Sequence, residues 1–253
     1  MPDASSTASS TRSEAEQLIR RDLAAAYRLV ALFGWDDLIF THISARVPGE
    51  PHFLINPYGL LFEEITASSL VKIDHDGNKV EDSPYPVNPA GFVIHSAIHA
   101  ARADAHAVMH LHSHDGQAVS AQAGGLLPIT QTAMLVCKQL AYHDYEGLAT
   151  RFEERERLVH DLGDRRCMLL RNHGTLTVGE EIADAFIAMY FLERACTAQV
   201  RAQAGGSALN PASDESIGFT SQAGAVGLPF VGRQLLWPAL LRKLDRVAPD
   251  YRD

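Results

Sequence analysis

An apolar run that ends in two histidines, Ala107-Val-Met-His-Leu-His112, constrains the fold more than any other part of the sequence. Its length and composition are typical of a buried β-strand. Side chains two residues apart in a strand point to the same face, so His110 and His112 would lie side by side, with their backbones about 6–7 Å apart. We therefore expect a sheet built around this strand, with two imidazoles at its end.

Strand and helix patterns follow one another without strict strand–helix–strand alternation, which favours an α/β fold with an antiparallel or mixed sheet covered by helices. A capping pattern at Ser13 and Glu16 and a glycine at position 34 mark the ends of the first helix. Strands are predicted at 38–40, 53–56, 71–73, 107–112, 168–170 and 175–178. Helices are predicted at about 14–33, 92–101, 115–123, 180–204 and 235–247.

Two segments lack such patterns. Residues 1–12 are mostly Ser, Thr, Ala and Asp and are predicted to form a disordered tail, because they cannot bury enough apolar surface to offset the entropy of ordering. Residues 207–232 are rich in Gly, Ser and Ala without a period and are interpreted as a linker or lid. The predicted organisation is a tail, a domain over 13–206, and a C-terminal part over 207–253 whose helix packs on the domain or on a neighbouring subunit. The apolar residues of the C-terminal part that are predicted to make these packing contacts are Trp237, Leu240, Leu241 and Tyr251.

Composition argues against several classes of partner and compartment. The formal net charge of -9 argues against a nucleic-acid surface, and no stretch approaches the roughly 18 apolar residues of a membrane span. The three cysteines, at positions 137, 167 and 196, are widely spaced and odd in number, so neither a disulfide framework nor a thiolate zinc site is expected. With no export pattern at the N-terminus, the sequence predicts a cytoplasmic protein that acts on a small molecule.

A third histidine, His173, stands in an Asn-His-Gly turn between the last two predicted strands. An imidazole from such a turn would complete a three-histidine set with open positions for water or substrate. Neutral imidazoles suit Zn²⁺, Mn²⁺ or Fe²⁺, so one divalent ion is predicted, with zinc as the first choice. The alternative is that His110 and His112 are exposed or hydrogen-bonded histidines without a metal.

The sequence resembles the class II aldolase/adducin family, which has His-x-His after a buried strand and a third histidine in an Asn-His-Gly turn. Over about 14–253 it is most similar to the adducin head domain and its bacterial aldolase-like relatives. The resemblance implies a class II aldolase-like, three-layer α/β/α fold and a cyclic homotetramer with active sites at subunit boundaries. The further matching motifs are Leu38-Ile39, His42-Ile-Ser-Ala-Arg46, Phe53-Leu-Ile-Asn-Pro57, Gly59-Leu-Leu61, Thr66-Ala-Ser-Ser-Leu70, Ala141-Tyr-His-Asp-Tyr145 and Leu241-Arg-Lys-Leu-Asp245.

The sequence also departs from the family. Family aldolases carry a glutamate acid/base four residues before a helical histidine, and counting back from His95 this chain has Gly91 there. Most of the positions that hold phosphate in sugar-phosphate members are changed as well, and Pro89 has no N–H to offer an anion. The resemblance therefore implies a non-phosphorylated carbonyl or carboxylate substrate. The candidate substrate-binding residues are His42, Asn56, Tyr58 and Gly91, and the alternative for His42 is a buried histidine whose hydrogen bonds are satisfied within the protein.

Three residues are candidates to replace the missing glutamate. His114 comes just after the predicted strand at 107–112 that carries His110 and His112. It is interpreted as a fourth ligand or proton shuttle, or else as an exposed residue near a helix start. His143 is a candidate general base, with Tyr142 beside it in a dense titratable cluster that could equally serve only to hold a loop.

Three functions are compatible with these residues. The first is a metal-dependent carbon–carbon lyase that carries out retro-aldol cleavage or decarboxylation. The second is a catalytically silent binding domain like the adducin head, which the missing glutamate favours. The third is an Fe²⁺-dependent oxygenase that uses the same three histidines.

Overall fold

The computed structural model describes residues 12–147 and 153–253. The tail predicted over 1–12 lies outside the described residues except for Arg12, whose guanidinium donates to the Glu81 carboxylate at 3.0 Å. Within the described ranges, no helix combines the length and the apolar character needed to cross a membrane.

Seven strands in the described part of the chain form one sheet. They are β1 (His42–Arg46), β2 (Phe53–Ile55), β3 (Val71–Ile73), β4 (Ala107–Leu111), β5 (Leu140–His143), β6 (Cys167–Leu170) and β7 (Gly174–Gly179). Their order across the sheet is β3-β2-β1-β4-β7-β6-β5. All neighbouring strands are antiparallel except β5 and β6, which run parallel. The prediction of a mixed, mainly antiparallel sheet is confirmed.

Helices cover this sheet, and the first one has the ends that the sequence predicts. The Ser13 side chain accepts a hydrogen bond from the Glu16 N–H, and Gly34 closes the helix in the left-handed region with φ of 68°. The α-helices in the described ranges are α1 (Glu14–Phe33), α2 (Pro89–Ala101), α3 (His114–Ser120), α4 (Gln131–Cys137), α5 (Glu154–Leu162), α6 (Ile182–Ala204), α7 (Asp214–Val231) and α8 (Trp237–Val247).

Side chains of β4 alternate between two helical layers. Met109 and Leu111 belong to the core that contains residues of α1 and α6. Val108 belongs to a second core with Ile94 and Ile98 of α2. His110 has the same parity as Val108 and therefore lies on the α2 side of the sheet. The three-layer α/β/α arrangement is confirmed, and it places His110 of β4 between the sheet and α2.

The prediction of a strand at 38–40 is wrong. Asp37 and Phe40 form an isolated bridge around a turn, and Leu38 has a positive φ of 51°. The side chains of Leu38 and Phe40 are 65% and 44% exposed, so this apolar stretch does not enter the sheet. The strand after it, β1, starts at His42 and pairs with β4.

Residues 214–231 form helix α7 rather than the expected irregular linker. The helix packs on α4 through small residues: a Cβ at Gly224 would lie 2.4 Å from the Leu135 carbonyl oxygen. The Ser221 hydroxyl donates to the Met134 carbonyl at 2.6 Å. Because small and polar side chains make this contact, the sequence of α7 shows no apolar periodicity that would reveal it.

The C-terminal part packs on the core of its own chain. Trp237 and Tyr251 are buried in the cluster that includes α1 and α6, and Leu240 and Leu241 pack against the same cluster. Of the two alternatives for the C-terminal helix, packing on the domain is thus seen within the single chain, and packing on a neighbouring subunit stays a prediction.

Candidate metal centre

The end of β4 and the turn between β6 and β7 bring three histidines together. His110 is the fourth residue of β4, and His112 follows the strand end. β7 pairs with β4, with Leu111 opposite Thr175, so the turn that precedes β7 lies beside His112. His173 in that turn completes the group, and one nitrogen from each of the three rings lies within 4.8 Å of the others.

Glycine after His173 is required by the close approach of this turn to β4. A Cβ at Gly174 would lie 2.3 Å from the Leu111 carbonyl oxygen, far inside van der Waals contact. Asn172 has a positive φ of 56°, which asparagine tolerates better than most residues. The Asn-His-Gly sequence thus fixes the place of the third imidazole.

Hydrogen bonds behind two of the rings fix which nitrogen faces the centre of the group. The Nδ1 of His110 donates to the Thr175 carbonyl oxygen at 3.0 Å, because a carbonyl can only accept. The Nδ1 of His112 donates to the Asp37 carboxylate at 3.0 Å. Their Nε2 atoms lie 3.1 Å apart and carry the lone pairs that could bind an ion.

The ionisation of these rings also suits a metal. Burial lowers the pKa of His173 from 6.5 to about 4 and lowers the pKa of His110 well below 6.5. Both imidazoles are therefore neutral near pH 7, the form that coordinates metal ions. The three nitrogens, two of them backed by a carbonyl or a carboxylate, fit a divalent ion such as zinc.

Asp37 is a site residue that the sequence analysis missed. It has no motif of its own, and it lies at the start of the turn at 37–40 with a carboxylate oxygen 3.0 Å from Nδ1 of His112. A carboxylate behind a metal-binding imidazole orients the ring and raises its basicity.

The three histidines form one wall of a cavity of about 370 Å³. Of the predicted substrate-binding residues, His42 and Tyr58 line this cavity. Asn56 does not: it is buried and accepts a hydrogen bond from the Tyr27 hydroxyl at 2.9 Å. The other lining residues are Phe40, Thr41, Asn88, Ile94, Gln117, Tyr145, Gly147 and Asn172.

Thr41 combines backbone strain with a buried hydroxyl that has no partner. Its φ of 67° is unusual for a β-branched residue. The residue is 2% exposed, and its Oγ1 has no hydrogen-bond partner among the described residues. Strain of this kind is typical of ligand-binding sites, and the sequence analysis did not identify Thr41.

Gly91, the fourth predicted substrate-binding residue, packs against His42. A Cβ at Gly91 would lie 2.7 Å from Cδ2 of His42 and 2.9 Å from its Cγ. The His42 ring therefore fills the space that any side chain at position 91 would need. This contact gives a physical reason for glycine where the resemblance implies a glutamate.

His42 is also the first member of a buried chain of polar side chains. Its Nδ1 lies 2.7 Å from Nε2 of His95. The Nδ1 of His95 is hydrogen-bonded to the Ser44 hydroxyl, and Ser44 Oγ lies 2.7 Å from Nε2 of His99. The Nδ1 of His99 ends the chain at the Ala105 carbonyl oxygen, 2.8 Å away.

The three predicted catalytic residues do not line the cavity, although all lie in the described ranges. His143 is buried, with Nδ1 2.7 Å from an Asp161 carboxylate oxygen and Nε2 3.5 Å from Glu154. The Tyr142 hydroxyl accepts from the Leu126 N–H at 3.1 Å. His114 is exposed at the first residue of α3. Their catalytic roles stay predictions.

A buried carboxyl group, that of Glu193 in α6, lies on the opposite side of β4 from α2. The hydroxyls of Ser113 and Thr175 both donate to Glu193 of α6, and the bond from Thr175 is 2.7 Å long. Burial raises the pKa of Glu193 from 4.5 to about 7. These contacts tie the ends of β4 and β7 to α6 and so support the histidines from behind.

Comparison with known proteins agrees with this geometry. Residues 21–200 match the family described as Class II Aldolase and Adducin N-terminal domain. A Caulobacter vibrioides protein, itself only provisionally called a class 2 aldolase, is 60% identical over 247 residues, which are 95% of this chain and 94% of that protein. Rat alpha-adducin is 48% identical over 197 residues, 76% of this chain but 27% of adducin. The structure of L-fuculose 1-phosphate aldolase from Glaciozyma antarctica PI12 superposes with a TM-score of 0.83 at 28% identity, covering 94% and 93% of the two chains.

Proposed function

Because the chain belongs to the class II aldolase and adducin family, we propose that it is a divalent-metal-dependent carbon–carbon lyase. It acts by retro-aldol cleavage or decarboxylation on a small, non-phosphorylated carbonyl or carboxylate compound. The observation that carries this proposal is the convergence of three imidazoles at a cavity wall, two of them with Nδ1 held by acceptors behind the ring.

The three histidines would hold the metal ion, with zinc as the first choice. A bound ion would supply Lewis-acid chemistry by polarising a carbonyl oxygen and stabilising the negative charge that develops there. Thr175 and Asp37 hold His110 and His112 in the orientation that this requires. The cavity wall also contains the apolar side chains of Phe40 and Ile94.

The lining of the cavity supports a substrate without a phosphate group. The described lining residues include hydroxyl, amide and imidazole groups but neither arginine nor lysine. Phosphate is usually bound by such cations or by several free backbone N–H groups. A neutral polar lining of this kind suits a carbonyl, hydroxyl or single carboxylate group better.

The proposal extends to assembly and location. We expect a homo-oligomer, most simply the tetramer of the family. Three apolar residues of α7 support it by being strongly exposed in the single chain: Phe219 at 78%, Val226 at 69% and Phe230 at 67%. The three cysteines are unpaired, which is consistent with a cytoplasmic location. Light scattering on a sizing column tests the assembly, and a monomer would contradict it.

Metal analysis of protein purified without chelators tests the central claim. We expect about one zinc ion per chain, full loss of it in His110→Ala, and retention in the matched control His160→Ala, whose histidine is exposed and outside the cavity. Bound iron together with oxygen consumption would contradict the proposed lyase and indicate an Fe²⁺-dependent oxygenase instead. A wild-type protein that neither contains nor takes up zinc would contradict the proposal and favour a binding domain. Screening of small hydroxy-carbonyl and keto-acid compounds for cleavage then identifies the reaction.

A further inference from the structure

The buried chain that starts at His42 has only one consistent pattern of hydrogens, which begins at Ala105. A carbonyl oxygen can only accept, so Nδ1 of His99 carries the hydrogen. Burial lowers the pKa of His99 to about 3, so the ring is neutral and its Nε2 is an acceptor. The Ser44 hydroxyl must therefore donate to His99.

The same reasoning passes through Ser44 to His42. Because the only hydrogen of the Ser44 hydroxyl goes to His99, its oxygen accepts from Nδ1 of His95. His95 is fully buried, which lowers its pKa well below 6.5, so its Nε2 is an acceptor. That nitrogen lies 2.7 Å from Nδ1 of His42, which must donate. Nε2 of His42 is then the unprotonated nitrogen.

This nitrogen belongs to a ring that is held in the cavity wall from two sides. His95 fixes Nδ1, and Gly91 leaves just enough room for the ring on its other side. The centroid of the His42 ring lies 5.2 Å from that of His110. An oxygen-bearing ligand at the three histidines would thus have His42 as a neighbour, and the ring offers it an acceptor and no donor.

We propose that His42 is the proton acceptor of this site, and that His95, Ser44 and His99 are positioning residues that keep its Nε2 unprotonated. The inference rests on the proposed lyase function. In a retro-aldol cleavage, the hydroxyl proton of the substrate moves to Nε2 of His42, and the O–H electron pair becomes the new C=O bond. The adjacent carbon–carbon bond breaks and leaves its electron pair as an enolate. The proton on Nε2 then returns to the enolate carbon, so no other reactant is consumed.

Nitrogen NMR of metal-free protein with ¹⁵N-labelled histidine tests the positioning part without any substrate. We expect hydrogen on Nδ1 and none on Nε2 for His42, His95 and His99, with assignments from single His→Gln variants. Ser44→Ala removes the link between His95 and His99, and we expect a mixture of tautomers at His42 in that variant. A wild-type His42 with hydrogen on Nε2, or a His42 tautomer that does not respond to Ser44→Ala, would overturn the inference.

Binding of a matched pair of probes to the zinc-loaded protein tests the acceptor part. Glycolate and methoxyacetate differ in that a methyl group replaces the hydroxyl hydrogen. Loss of one hydrogen bond is expected to weaken binding of methoxyacetate by about 3- to 10-fold in the wild type. The preference should disappear in His42→Phe and shrink in Ser44→Ala, which keeps the ring if the phenylalanine variant does not fold. Equal binding of the two probes by the wild type would refute the acceptor role. Failure to bind zinc would instead refute the proposed function and leave the tautomer result standing.

Discussion

Removal of the Asp37 carboxylate should weaken metal binding although Asp37 is not a ligand. Its oxygen accepts from Nδ1 of His112 at 3.0 Å and sets the orientation and basicity of that ring. Loss of such a partner typically costs 10- to 100-fold in affinity. The Asp37 side chain is 40% exposed, so solvent screens its charge and the lower end applies. We expect about 10-fold, or about 1.4 kcal/mol, for Asp37→Ala.

The size of the effect should depend on which property of the carboxylate is removed. Asp37→Asn keeps an oxygen that can accept the hydrogen bond and loses only the charge, so we expect a smaller change of about 3-fold. Zinc affinity is measured by competition with a chromophoric chelator. Asp36→Ala is the matched control, because Asp36 is the exposed neighbour of Asp37. If Asp37→Ala and Asp36→Ala bind zinc equally well, the orienting role of Asp37 is refuted.

Two further predictions concern stability. Thr41→Gly relieves a positive φ of 67° and removes a buried hydroxyl that has no partner among the described residues. The free energy of unfolding, measured by urea denaturation, should therefore rise by about 1 kcal/mol. A decrease would contradict the claim that the backbone at Thr41 is strained. The second prediction is that the metal-free protein becomes less stable as the pH falls below 6.5. Burial lowers the pKa of His173 to about 4 and the pKa of His99 to about 3. Below pH 6.5 the unfolded chain therefore binds protons at these histidines that the folded chain does not bind. Urea midpoints at pH 7.5 and 5.5 measure this effect, and equal midpoints would refute it.

The elements that could be predicted from the sequence carry their own local signals. The apolar run of β4 and the capping residue Ser13 each specify a structure without help from distant residues. The contact of helix α7 with α4 could not be predicted because it is made by Gly224 and Ser221, which contribute no apolar stripe on that side of the helix. The strand expected at 38–40 failed because apolar composition alone does not distinguish a strand from an exposed turn.

The residues of the candidate site also fall into those that the sequence reveals and those that it does not. The three histidines were found because the strand period and the Asn-His-Gly turn are visible in the sequence. Asp37 and the chain from His42 to His99 were not found, because they form only when a turn, a strand and α2 are assembled. His42 itself was identified as a substrate-binding residue, but its tautomer depends on partners that no sequence spacing reveals.

The pairing of β4 with β7 has a consequence for how the protein folds. His110 and His173 are far apart in the sequence, and they meet only when Leu111 stands opposite Thr175. An unfolded chain could offer the adjacent pair of histidines to an ion but not the complete chelate. Zinc in the medium should therefore slow unfolding much more than it speeds the early steps of folding, since the third bond to the ion forms only after this long-range closure. An ion bound by the three histidines would thus stabilise the chain only after the middle of the sheet is complete.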